Sequence, residues 1–196
     1  MAALAVASAM LATIVVLSAA CFAVLTLKIQ RQSKRPSFDT VQMLWRVAML
    51  SSLVACSLWL LAQFVPALGE TLVWPLLFGA LLLCGGFMSI IVGMLYKIVP
   101  FLVWLHLQNL GRGRMPAPNM KKVLDEKQMR RQMNAHFVSL ATIVLAVLWP
   151  DWFIYPAGFA LVVANGWLLR NLLSATAVYR THSAKISALT AGQADR

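Results

Sequence analysis

Acidic residues are scarce in this chain. There are six in 196 residues, and none falls within a long apolar run: Glu70 and Asp151 sit in short connections, Asp39, Asp125, Glu126 and Asp195 in basic segments. Proton-driven transporters place carboxylate relays inside their spans, so this distribution argues against one. Cysteine is equally sparse. Cys21, Cys56 and Cys84 each stand alone in an apolar stretch, with no CxxC or Cys/His spacing, which leaves no disulfide framework and no zinc site. No Ser-His-Asp set, HExxH, P-loop or dinucleotide fingerprint occurs, so an enzymatic reading has no residues to rest on. Charge of either sign is low, at 12% of residues against 61% hydrophobic, with a mean hydropathy of +0.77. Soluble domains carry roughly 25% charged residues, and the expected solvent here is the bilayer.

What the chain has is long apolar runs. A spanning helix needs about 20 largely apolar residues, and five segments are predicted as spans: 3–27, 43–66, 72–96, 135–150 and 155–178. The first is not read as a secretory signal. No basic region precedes it, and the positive charges follow it. Basic residues then alternate from one connection to the next. Lys28, Arg31, Lys34 and Arg35 follow the first span, seven Lys or Arg occupy the loop 109–134, and Arg180 and Lys185 lie in the tail 180–196. The second and fourth connections hold none. The positive-inside rule then predicts an all-α, five-span membrane protein, a single transmembrane domain with its N-terminus outside and its C-terminus cytoplasmic. The same rule accounts for the net charge of +11 without nucleic acid. Trp74, Trp149, Trp152 and Tyr155 are expected in an outer aromatic belt, and Trp45, Tyr96, Trp104 and Tyr179 nearer the inner face.

The third run, TLVWPLLFGALLLCGGFMSIIVGMLYKIVPFLVWLHL, is too long for one crossing. Residues 72–107 would measure about 54 Å as one helix against a core of about 30 Å. Pro100 removes a backbone donor and crowds the Tyr96 carbonyl, so a kink is expected before it, with FLVWLHLQ running obliquely at the interface. After the Gly/Pro-rich GRGRMPAP, a short helix is expected from about Asn119 into the fourth span, resting on anionic lipid.

Ionisable residues in spans mark function by default. Arg46, Lys97 and Arg170 all approach the inner interface, where they either snorkel or together hold a lipid phosphate or another anionic ligand. Gly86, Ser89 and Gly93 recur at three and four residues and form a smooth stripe for close helix approach. With Pro100 and with Asn165, whose amide should find a partner across a helix interface, this stripe is also the path a small permease or channel would use. Cys84, Met88 and Met94 read as packing rather than as copper ligands. Haem would need facing axial ligands, for which an interfacial His106–His136 pair is the candidate; otherwise no cofactor or metal is expected.

The segment GFMSIIVGMLYKIVPFLVWLHLQ (86–108), followed by a Gly/Pro loop, MPAPNMKKVL and NAHFVSLA, resembles part of small bacterial membrane proteins similar to haem-copper oxidase subunit I or NnrS-type proteins. The YKIVPFLVW core carries most of the likeness, over about residues 85–145. The resemblance implies a helical bundle in a respiratory or nitrogen-oxide context and, with the charge asymmetry, a bacterial inner membrane. In such proteins a helix begins with a His-containing motif that could ligate haem, whereas the corresponding LVWPLLFGALLL here has no histidine, so haem binding does not transfer. The expectation is a non-enzymatic accessory or assembly component, in contact with lipid and with a larger membrane complex. The alternatives are the permease and a haem-binding redox protein.

Overall fold

The computed structural model describes residues 2–32, 39–65, 71–111 and 119–194, all helical apart from short connections. The ALGE connection (67–70) and most of GRGRMPAP lie outside these residues. Six helices follow in order: α1 (Ala2–Gln32), α2 (Thr40–Phe64), α3 (Val73–Gly111), the single turn α4 (Met120–Val123), α5 (Glu126–Leu148) and α6 (Pro150–Ala194). Five of them, all but α4, are long and apolar enough to cross a membrane. Helices are the expected solution, since hydrocarbon offers no partner to a free backbone N–H or C=O.

Two helices run much further than their hydropathy predicts. α3 does not stop near Tyr96 and restart obliquely; it is helical to Gly111, with Pro100 buried inside it. α6 extends to Ala194 rather than ending near 178. At 1.5 Å per residue they measure about 58 and 67 Å, roughly twice the hydrocarbon core. The helix expected from about Asn119 into the fourth span is broken in two: after the single turn α4, α5 begins afresh at Glu126, where Asp125 caps it by accepting from the Lys127 N–H at 3.2 Å. The ends of α1, α3 and α6 and the starts of α2 and α5 meet at the side of the bundle that carries the basic segments, here called the basic end. A core of Val103, Leu107, Val123, Leu124, Met133 and Ala175 ties α3, α4, α5 and α6 together there.

α5 and α6 form an antiparallel hairpin about the single residue Trp149, whose N–H closes the last turn of α5 on the Leu145 carbonyl and whose own carbonyl accepts from Phe153. The buried face of α6 is Ala157, Ala164, Leu168, Asn171 and Ala175, at spacings of seven, four, three and four, the seam of a helix pair. α2 packs against α3, and α1 packs chiefly against α2 through Ala23, Ala48 and Met49. Among the described side chains of α1 only Ala23 is fully buried, the others being half-buried or exposed.

Residues 81–88 of α3 form a π-helical segment. It brings Gly85 and Gly86 onto α2: a methyl group on Gly85 would lie 2.5 Å from Ser51 Oγ, and one on Gly86 3.1 Å from Ser52 Oγ. Two turns on, a methyl on Gly93 would meet the Trp45 indole at 3.3 Å. Ser89 does not complete this stripe. Three residues beyond Gly86 is about 60° short of a full turn, and Ser89 faces α5 instead.

Candidate functional site

The interior between α3, α5 and α6 holds a set of polar side chains that are almost completely buried: Ser89 and Ser139, Gln132, His136 and Asn171, with the Tyr96 ring at 3% exposure. Helical spacing puts them together. Ser89 and Tyr96 are seven apart on α3, and Gln132, His136 and Ser139 follow at four and three on α5, so each helix presents one polar face. Asn171 belongs to the buried seam of α6.

Tyr96 is the hub. Its hydroxyl donates to Gln132 Oε1 at 2.9 Å and accepts from Asn171 Nδ2 at 3.0 Å. Gln132 Nε2 reaches on to the Ala164 carbonyl of α6 at 3.3 Å, and Asn171 Nδ2 also lies 3.4 Å from the Gln128 carbonyl of α5. One phenol therefore joins two amides from two other helices, and both amides also bond main chain across the hairpin. Two turns away on α3, Ser89 Oγ lies 2.8 Å from His136 Nε2, and Ser139 Oγ donates to the His136 carbonyl at 2.8 Å. Asn171 is 22 residues beyond Trp149, about 33 Å along α6, so the tyrosine junction lies near the depth of one hydrocarbon thickness from the hairpin turn. His136 lies at about 20 Å on the same count, well inside the membrane and not at the interface where it was expected. Tyr96, likewise, is an interior residue and not part of an inner aromatic belt.

A serine within 2.8 Å of an imidazole meets the first distance test for an activated nucleophile. Ser89 and His136 are 0% and 2% exposed, however, and their polar atoms face each other within helix packing, so no substrate reaches the hydroxyl in this arrangement. Among the described residues no group of three or more His, Cys, Asp or Glu side chains converges as a metal site. The chemistry of the junction is mutual satisfaction of buried polar groups, which fixes the rotation and height of three helices relative to one another.

No family model, characterised protein or solved structure matches the chain. The site is therefore read from its own geometry.

The expected site residues fall in several places. Lys97 and Arg170 are exposed and Arg46 is half-buried, with its guanidinium 4.0 Å from the Met43 sulfur. Lys97 lines a cleft with residues of α1 and α2, on which neither Arg46 nor Arg170 borders. The cleft that Lys97 lines thus brings it together with neither of the other two cations, which stand on α2 and α6. Asn165 donates to the Leu161 carbonyl of its own helix at 2.8 Å, and Gly166 beside it meets nothing within 4 Å of a added methyl position. The amides that do cross between helices are Gln132 and Asn171. His106 is exposed, bonded to the Leu102 carbonyl and edge-on to Tyr179, whereas His136 is buried against Ser89, 17 residues or about 25 Å up α3 from His106. The two histidines do not fit one haem. The glycine path for a solute is filled by Ser51, Ser52 and Trp45 of α2.

Sequence reasoning missed Tyr96, Gln132, Ser139 and Asn171. The available signal was the spacing of Gln132, His136 and Ser139 at four and three residues, obscured because the first half of α5 also carries Glu126, Lys127, Gln128, Arg130, Arg131 and Asn134.

Proposed function

We propose that this multi-pass membrane protein is a non-enzymatic accessory or assembly component of a larger membrane complex. It lies in the bacterial inner membrane with its N-terminus outside. One observation carries this reading: the buried polar cluster between α3, α5 and α6 is spent on its own hydrogen bonds, with Tyr96, Gln132, Asn171, Ser89 and His136 bonded to one another or to main chain. The glycine face of α3 is closed by α2. Function then resides in the outer surfaces of a rigid bundle, which is what an assembly component needs. The respiratory or nitrogen-oxide setting follows from the resemblance around YKIVPFLVW, and the orientation from the basic segments.

The test is purification in mild detergent after cross-linking in the native membrane. Co-migration on a native gel far above the 21.6 kDa of the chain, with one stoichiometric partner identified by mass spectrometry, is the expected result. A lone chain that moves solute across liposomes would overturn the reading in favour of a permease. A Soret band that shifts on dithionite reduction, in stoichiometric amount, would overturn it in favour of a redox protein.

A further inference from the structure

α3 is anchored unevenly along its length. Its inner part, Ser89–Gly111, buries eight residues and bonds to α5 and α6 through Ser89 and Tyr96. Its outer part, Val73–Ala80, leans on α2 and α5 but has no fully buried residue. The sequence there, VWPLLFGA, holds no hydroxyl, amide or charge to lock its rotation as Tyr96 locks that of the inner part. Val73 and Leu76 are 41% and 58% exposed, and a methyl on Gly79 would meet nothing within 4 Å. The π-helical residues Leu81–Met88 lie between the two parts.

In a π-helix each N–H reaches back five residues rather than four, so the segment holds more residues per turn than the α-helix on either side of it. Returning it to α geometry with the inner part fixed releases about one residue toward the outer end. The outer part then turns by about 100° and shifts by about 1.5 Å along the axis. The contact with α2 at this point is made by Gly85 and Gly86, so the residues that pass closest to Ser51 and Ser52 have no side chain to catch on them. Leu83 in the same segment is 61% exposed. We infer that residues 81–88 are a swivel: the outer part of α3 turns by one residue position, between π and α geometry, while the inner part stays fixed on α5 and α6. The bundle held by the polar junctions thereby has one adjustable element, at the end of α3 that carries Trp74. Anything that binds one setting of that end more tightly than the other shifts the balance between them.

Deleting Leu83 tests for the spare residue. The segment should become α-helical with both parts of α3 in place, so the variant should keep the yield and elution profile of the wild type. Deleting Ile98, 45% exposed, either takes Tyr96 off Gln132 and Asn171 or turns Val103 and Leu107 out of the core, and should abolish folding. If deletion of Leu83 and deletion of the neighbouring Leu82 both abolish folding, the segment holds no spare residue and the inference falls. The motion itself is read by double electron–electron resonance in lipid nanodiscs, after Cys21, Cys56 and Cys84 are replaced by Ala. Spin labels go on Leu76→Cys/Leu169→Cys and on Ile91→Cys/Leu169→Cys, all three sites being more than half exposed. The first pair should show two populations separated by up to about 8 Å, the chord of a 100° turn on a helix of about 5–6 Å radius. The second pair should show one, and deletion of Leu83 should collapse the first pair to one. A single population for the first pair in the undeleted chain, two for the second pair as well, or two that survive the Leu83 deletion would each overturn the swivel.

Discussion

Tyr96→Phe isolates the tyrosine junction, because it removes one oxygen and leaves the ring that packs in the core. Two hydrogen bonds go with that oxygen, at 2.9 Å to Gln132 and 3.0 Å to Asn171. The consequences for the two amides differ. Asn171 keeps a weaker bond to the Gln128 carbonyl at 3.4 Å, while Gln132 keeps its Nε2 bond to Ala164 but loses the donor to Oε1. Interhelical hydrogen bonds in membranes average about 0.6 kcal/mol, with a maximum near 1.7. A buried acceptor left bare costs about 1–3 kcal/mol. The variant should therefore lose about 1–2 kcal/mol, a factor of roughly 5–30 in the folded-to-unfolded ratio. The assay is reversible unfolding in mixed micelles by added denaturing detergent, followed by far-UV circular dichroism. Asn165→Ala is the control, since its amide bonds only its own helix, and it should change stability by less than about 0.5 kcal/mol. A double-mutant cycle of Tyr96→Phe with Asn171→Leu should show a coupling of about 0.5–1.5 kcal/mol. Wild-type stability in Tyr96→Phe, or strict additivity in the cycle, would refute the claim that this junction holds the three helices together.

Other predictions follow from the same contacts. Gly85→Ala should destabilise by about 1–3 kcal/mol despite alanine's better helix propensity, because its methyl would sit 2.5 Å from Ser51 Oγ; Ser51→Gly should restore much of the loss in the same unfolding assay. Gly166→Ala, with nothing within 4 Å, should cause no loss by that measure. Ser89→Ala should cost about 1–2 kcal/mol by leaving buried His136 Nε2 without a partner, and Ser89→Ala/His136→Leu should be less damaged than the single change, since removing both partners avoids the orphan; damage that simply adds would contradict this. Glu126→Ala should lower the thermal midpoint by an amount worth about 1 kcal/mol. The carboxylate of Glu126 accepts from both the N–H and the hydroxyl of Thr40, and so joins the starts of α2 and α5.

The five spans were legible in the sequence because hydropathy reports where the bilayer is, and the bilayer permits only helices there. Helix ends were not legible by the same signal, since a helix does not stop where the hydrocarbon does. α3 runs on to Gly111, and α6 past 178 through Tyr179 and Ile186, where they pack on the core shared with α4 and α5 at the basic end. Asp125 sets the break before α5 within a charged stretch that composition reads as one helix from about Asn119. The candidate site fails to be legible for a more specific reason. Each residue of the tyrosine junction stands directly beside a basic one: Tyr96 beside Lys97, Gln132 beside Arg131, Asn171 beside Arg170. The basic partner is exposed in every case and the polar neighbour buried. One residue on a helix is about 100° of rotation, enough to turn a side chain from lipid or water to the interior. The charges drew attention as the expensive groups, yet their long stems let them leave the bundle and reach the interface. Their shorter neighbours cannot leave, and must find partners inside. Of the cations singled out in the spans, Lys97 and Arg170 therefore mark the depth of the junction and its members by an offset of one residue, Arg46 marks none of it, and only the rotation of each helix, which is set by tertiary packing, decides which of each pair points inward.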